Sequence, residues 1–396
     1  MNTGLALSGG GFRATVFHFG VLARLAKENH LENITYLSTV SGGSLAVGLI
    51  LAQNNFTWPE SQDYLEDTLP KLRIQITTNG LQKPLIFRQF RMLFSVFESR
   101  AEDVAVLLEE RWGITPSLKK LPATPRWMIN ATCFQTGKNW RFERFRMGDY
   151  QFGYTYDTDF PLSQAMAASA APPALIGPLA FKTTGRSWFD YVDQGEDSDS
   201  PDTYQIRKIR PITPEFDQLH LWDGGVYDNL GLEGLHDFRD GWPDVDFLIV
   251  SDASGVFKTV AYKSKISALF RMATGIMKNQ IRSLQSRAVL ERILDHGDKD
   301  RGSYLRTGNH MERILKSAWR QDIRKGDKTM EDIKQLCVGS LTEDQAKYCA
   351  DMSTHIDNMT EQDYDLLFQH GFEVANAILH AYNPDLFEFV RYKPLV

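Results

Sequence analysis

Cysteine is scarce in this 396-residue chain: its three copies, Cys133, Cys337 and Cys349, have neither the pairing of a disulfide framework nor the spacing of a zinc site. Inert thiols in a reducing compartment are expected. Long apolar runs are also missing. The most apolar stretch, residues 45–52, falls far short of the roughly 20 residues that a membrane span requires. There is no surplus of basic residues, since 44 Lys and Arg stand against 50 Asp and Glu for a formal charge of −6, which argues against binding a nucleic-acid polymer. The acidic run Asp193-Gln194-Gly195-Glu196-Asp197-Ser198-Asp199 lacks the ligand spacing and closing glutamate of a calcium loop, and reads as a solvated loop over about 193–203. No metal and no cofactor is expected.

What remains is a globular composition, 42% apolar and 24% charged, with material for one large core and a smaller helical part. Within it Ser41 stands out. In Leu37-Ser38-Thr39-Val40-Ser41-Gly42-Gly43-Ser44 an apolar strand breaks on a serine and passes through small residues into a helix. That is the pattern of a nucleophile elbow, whose bent backbone exposes the hydroxyl while the glycines let the helix pack close to the strand. Such a motif is common by chance, and two further segments give it meaning. Gly9-Gly10-Gly11-Phe12-Arg13 follows a short apolar strand and opens a helix, presenting backbone N–H groups to an anion or a developing oxyanion. Leu221-Trp222-Asp223-Gly224-Gly225 sets an acid before two glycines in an otherwise apolar turn. Nucleophile, oxyanion donors and base are then all present for acyl transfer.

Together these segments resemble the patatin-like phospholipase family, in its bacterial form. The match comprises a glycine-rich loop followed by Arg13, an elbow at Ser41, an Asp-Gly-Gly turn at Asp223, and the small-residue and proline segment Ala168-Ser169-Ala170-Ala171-Pro172-Pro173 between them, all in family order over about residues 3–255. The resemblance implies a Ser-Asp dyad: Ser41 attacks an ester carbonyl, Asp223 takes its proton, and the N–H groups of Gly9, Gly10, Gly11 and Phe12 form the oxyanion hole. Gly42 and Gly43 support the elbow. Arg13 either orients the loop through backbone hydrogen bonds or attracts an anionic phosphate. An aspartate of ordinary pKa, about 3.9, is a feeble base, so a dry pocket is expected to raise it. The departure is Thr39, where the family places glycine; its side chain is expected to loosen the turn or shift the strand.

A histidine-assisted triad is disfavoured, because strand alternation turns His220 away from Asp223 and His18 lies on the first helix. Asp228 and Asn229 read as a turn and cap, not a second acid pair. Asp252 closes the apolar strand Phe247-Leu248-Ile249-Val250, where it either shapes the pocket or faces solvent.

Strands are predicted over 4–7, 34–40, 127–134 and 139–146, with helices over 15–27 and 43–53. This alternation indicates an α/β fold, and the resemblance specifies a three-layer α/β/α sandwich with a central, mostly parallel sheet, a helical cap insertion over about 54–120 and a helical C-terminal region. Residues 1–255 are expected to form the catalytic domain. Residues 256–396, helical from about 303, form an extension packed on it without a role in the site. A cleaved leader would remove the glycine loop, so a cytoplasmic protein associated peripherally with the inner membrane face is expected.

Two segments bear on lipid. Residues 83–97 combine four phenylalanines with basic residues, as an interfacial lid or a buried cap helix would. Residues 258–292 read as a basic amphipathic helix, packed on the body, attracted to anionic lipid, or binding an anionic regulator. The expected activity is hydrolysis of glycerophospholipid or lysophospholipid esters, with a phospholipid membrane surface as partner. The alternatives are a soluble ester or thioester hydrolase, and an effector awaiting a small anionic activator or protein partner, as some bacterial family members are in anti-phage defence. A nucleotide-binding module built on the glycine loop lacks the spacing and the acidic residue it would need.

Overall fold

The computed structural model describes residues 1–81, 100–172, 176–192, 208–236, 241–242, 244–257, 259–295 and 300–394. The aromatic and basic segment 83–97, the acidic loop 193–203, Pro173 and Lys258 lie outside the described residues.

Among the described residues twelve strands form one sheet. They are β1 (Thr3–Leu7), β2 (Ile34–Thr39), β3 (Arg126–Cys133), β4 (Asn139–Phe142), β5 (Met147–Asp149), β6 (Gly153–Thr155), β7 (Leu179–Lys182), β8 (Trp188–Val192), β9 (Lys208–Ile212), β10 (Gln218–Asp223), β11 (Phe247–Asp252) and β12 (Arg301–Arg306). The order is β12-β11-β1-β2-β3-β4-β5-β6-β8-β9, with β10 paired to β3 and β7. From β12 to β3 all neighbours are parallel. Beyond β3 they are antiparallel.

Alternation along β1 and β11 shows why the sheet is a middle layer. Leu5, Leu7, Phe247 and Ile249 enter one core together with apolar residues of α1 (Gly11–Ala26) and α2 (Gly42–Gln53), whereas Ala6, Leu248 and Val250 enter another with Leu232, Trp242 and Val289. A strand buried on both faces reads as an unbroken apolar run, as β11 does. The fold is a three-layer α/β/α sandwich with its parallel strands at the centre and β2, which leads to the elbow, between β1 and β3.

The chain beyond residue 255 is woven into this body. Residues 301–306, read from sequence as the approach to a helical region, form β12 parallel to β11. Six residues with charged ends, Arg301-Gly302-Ser303-Tyr304-Leu305-Arg306, carry too weak an alternation to announce a strand, and the hydrogen bonds of β11 supply what propensity lacks. The long helix Glu361–Tyr382 packs on α1 with near backbone contact: a Cβ on Gly371 would sit 2.0 Å from the Phe17 carbonyl oxygen. Glycine is required there by space.

Candidate active site

The sheet itself brings the two ends of the site together. Residues 126–129 of β3 pair with β2, residues 131–133 pair with β10, and β4 occupies the opposite edge. Because β2 is parallel to β3 and β10 antiparallel, the two strands run toward each other along one edge. Ser41 lies just beyond the end of β2, and Asp223 ends β10.

Ser41 has φ 50° and ψ −114°, a strained setting for a non-glycine residue that persists only where its surroundings impose it. Those surroundings are tight. A Cβ on Gly43 would lie 2.3 Å from the Leu7 carbonyl oxygen, and one on Gly42 2.4 Å from that of Gly11, so α2 can seat only on glycines. Beneath the turn runs a chain of buried hydroxyls. Trp127 Nε1–H donates to Thr39 Oγ1 (2.8 Å), Thr39 meets Ser44 (2.8 Å), Ser44 meets Ser169 (2.9 Å), and the Ser41 N–H donates to Ser169 Oγ (3.0 Å). The expectation for Thr39 is corrected here: its side chain fills a polar slot and links β3 to the elbow.

The same segment holds the acid. The Asp223 N–H donates to the Ala171 carbonyl (3.1 Å), and Thr132 Oγ1 donates to the Asp223 carbonyl (2.9 Å). Ser169 and Ala171, both in the small-residue stretch that ends helix α3 (Leu162–Ser169) and follows it, thus bind the backbones of both site residues. The Asp223 carboxylate is buried and accepts the Gly225 N–H at 2.7 Å. Burial pushes its pKa up; Lys278, the Gly225 N–H and the Ser41 hydroxyl oppose that rise.

The glycine loop lies against the elbow, since a Cβ on Gly9 would be 3.1 Å from Ser41 Cβ. Its four expected donors are not equivalent. The Gly9 N–H donates to the Asn229 carbonyl (3.1 Å) and the Phe12 N–H to the His355 carbonyl (3.3 Å). Among the described residues no acceptor is bonded to the N–H of Gly10 or Gly11, which narrows the oxyanion set to those two. Buried Arg13 gives its guanidinium to the carbonyls of Met352 (2.8 Å), Ala253 (3.2 Å) and Ala350 (3.4 Å). Those bonds fit the loop-orienting role. They also correct the expectation that the chain beyond 303 stays away from the site, since Ala350, Met352 and His355 all belong to it.

The other polar residues find structural places. His18 bonds Ser251 (2.9 Å) and the Ser8 carbonyl (3.0 Å), and His220 bonds Gln135 (3.0 Å). Asp228 is buried and accepts the N–H groups of Leu230, Gly231 and Glu233, which shapes a turn. Asp252 is also buried; it accepts the Tyr304 hydroxyl and lies 3.8 Å from Arg282 Nε. A cavity of about 300 Å³, lined by Gly9, Gly10, Asn229, Phe257, Lys278 and Arg282 among others, adjoins the Ser41–Asp223 pair without including either residue. Lys278 is the residue that sequence reasoning passed over. It was one of eight basic positions in a long segment, and only the fold shows which of them turns inward.

Among the described residues no group of His, Cys, Asp and Glu could hold a metal ion. The sandwich and its head-to-head strands define an α/β protein with a strained serine turn facing a buried acid. The chain belongs to the patatin-like phospholipase family, whose model matches residues 5–236. Among solved structures it is similar to human GIVD cytosolic phospholipase A2, with 16% identity and a TM-score of 0.42 over 69% of this chain and 48% of that one. A complex of that enzyme with methyl gamma-linolenyl fluorophosphonate gives 17% identity and a TM-score of 0.33 over 43% of this chain and 29% of that one. This chain spans about half the length of the first of these. No curated protein matches it.

Proposed function

We propose that this protein is a serine acyl hydrolase that cleaves fatty-acyl esters of glycerophospholipids or lysophospholipids at a membrane surface. The observation that carries the reading is the strained Ser41 opposite the buried Asp223 carboxylate, with the glycine loop against both. Ser41 Oγ attacks the ester carbonyl and passes its proton to Asp223. The Gly10 and Gly11 N–H groups receive the oxyanion, each donor contributing about 3 kcal/mol in the transition state. Asp223 returns the proton to the leaving alcohol, and water, deprotonated by the same carboxylate, releases the fatty acid. Product analysis by mass spectrometry on phospholipid micelles tests this, beside Ser41→Ala and Asp223→Asn. Both variants are expected to lose activity by about a thousandfold or more, as residues acting as a unit do. Retained hydrolysis in either would remove the dyad.

The membrane part of the reading rests on the segment after Gly255. Among the described residues no helix is long and apolar enough to cross a membrane. The helix Lys265–Arg271 and helix α4 (Met277–Asp295) instead leave Ile266 (81% exposed), Leu269, Met277, Leu284 and Leu294 (77% exposed) in solvent, beside exposed Lys263, Lys265 and Arg287. Only the inner face of α4 is packed, through Arg282 and Val289. Apolar anchors set among basic residues suit anionic lipid, at about 1 kcal/mol per surface charge; a second copy would set like charges opposite one another. Co-sedimentation with phosphatidylserine vesicles is expected, weakened in Ile266→Glu/Leu269→Glu, with hydrolysis of monomeric ester unchanged. Equal rates on monomers and micelles would move the substrate to soluble esters.

A further inference from the structure

Lys278 stands apart from the other basic residues around the cavity. It is the second residue of α4, outside the residues that the family model matches. A Cβ on Gly225 would lie 2.8 Å from Lys278 Nζ and 2.8 Å from Asp223 Oδ1, so ammonium and carboxylate flank one glycine. The neighbouring cations are engaged elsewhere. Arg282, one turn further along α4, donates to the Gly255 carbonyl (3.3 Å) and faces Asp252, which also holds Tyr304. Arg13 on α1 is spread over its three carbonyls. Asp223, for its part, has few donors for a buried charge: the Gly225 N–H and the Ser41 hydroxyl. A buried carboxylate so thinly solvated favours its neutral form unless a cation stands by.

We propose that Lys278 is a positioning residue for the dyad, its ammonium holding Asp223 ionised in a buried site so that the carboxylate can take the Ser41 proton. This rests on the reading of Asp223 as the base. The charges act in the required direction. Lys278 is the largest influence opposing the upward push of burial on Asp223. Burial, with Arg282 and Arg13, pushes Lys278 down, and Asp223 opposes that. Each member of the pair therefore favours the charged form of the other, and a helix outside the family-matched region completes the site.

The test is the pH dependence of kcat/KM on p-nitrophenyl butyrate, a neutral soluble ester with no phosphate to bind, for wild type, Lys278→Met, Lys278→Arg and Asp223→Asn. Without the ammonium the Asp223 carboxylate holds its proton to higher pH, so the acid limb of Lys278→Met is expected to move up by about 1–2 pH units. The rate at pH 6 then falls about tenfold or more and recovers at alkaline pH. Lys278→Arg keeps the charge and is expected to keep the wild-type limb. An unmoved limb in Lys278→Met overturns the proposal, as does a loss equal at every pH. So does a loss confined to phospholipid and seen in KM, which would assign Lys278 to a head-group anion. If Lys278→Met does not fold, Lys278→Gln with pH-dependent fluorophosphonate labelling of Ser41 reads the same limb without turnover. An active Asp223→Asn removes the dyad itself; an inactive one with an unmoved Lys278→Met limb removes Lys278 alone.

Discussion

The two arms of the site are held by opposite means. Ser41 rests on neutral groups, the chain Trp127, Thr39, Ser44 and Ser169, in which each hydroxyl has a partner and no charge is involved. Asp223 is a buried charge beside Lys278, with two hydrogen-bond donors. The nucleophile is thus placed by shape and the base is tuned by charge. The first arrangement is indifferent to pH over the range where hydroxyls do not titrate, whereas the second follows every change in nearby charge.

The sharpest way to break this contrast is at Arg13, which ties the glycine loop to the chain around Met352. Arg13→Met leaves three carbonyls without their donor and is expected to cost about 3 kcal/mol or more, read as a lower thermal midpoint. The activity loss should exceed what unfolding accounts for, because the oxyanion donors lose their tether. An Arg13→Met protein as stable as wild type would show that the carbonyls find other partners.

A smaller effect is expected from Thr39→Val, which keeps the shape and deletes the hydroxyl. It strands the Trp127 N–H and breaks the link to Ser44, at about 1–3 kcal/mol. Activity should drop at all pH values alike, since nothing ionisable is touched. A shifted pH limb would mean that the neutral arm also tunes the base.

The smallest effect near neutrality belongs to His18, which lies under the glycine loop. Its Nε2 faces the Ser8 carbonyl and so carries the proton, leaving Nδ1 to accept the Ser251 hydroxyl. Burial pushes its pKa down to about 4 from 6.5. A folded pKa below the unfolded one means that its contribution to stability is fully present above about 6.5 and is lost as pH falls toward about 4. Melting curves should therefore fall through that window in wild type and fall less steeply in His18→Gln.

How much could be read in advance follows from how local each signal is. Ser41, Asp223 and the glycine loop sit in contiguous motifs whose small residues are demanded by backbone crowding, so their sequences advertise them. The hairpin of β3 and β4 was legible for the same reason, through alternation around Thr136-Gly137-Lys138, with Gly137 at φ 65°. Ser169 gave a motif but no role, because its bond to the Ser41 N–H joins segments far apart in the chain. Lys278, β12 and the His355 carbonyl gave no local sign at all. Their placement depends on packing by the whole sheet, which no short window records.

The meeting of β2 and β10 on one edge of β3 makes the gap between nucleophile and base a matter of counting. One residue removed from β10 would draw its end back by about 3.4 Å and turn the last side chain to the other face. The loops between the two strands can lengthen or shorten through evolution without the dyad registering it. The strands cannot, and two short segments of fixed length act as the ruler against which the rest of the sequence is free to vary.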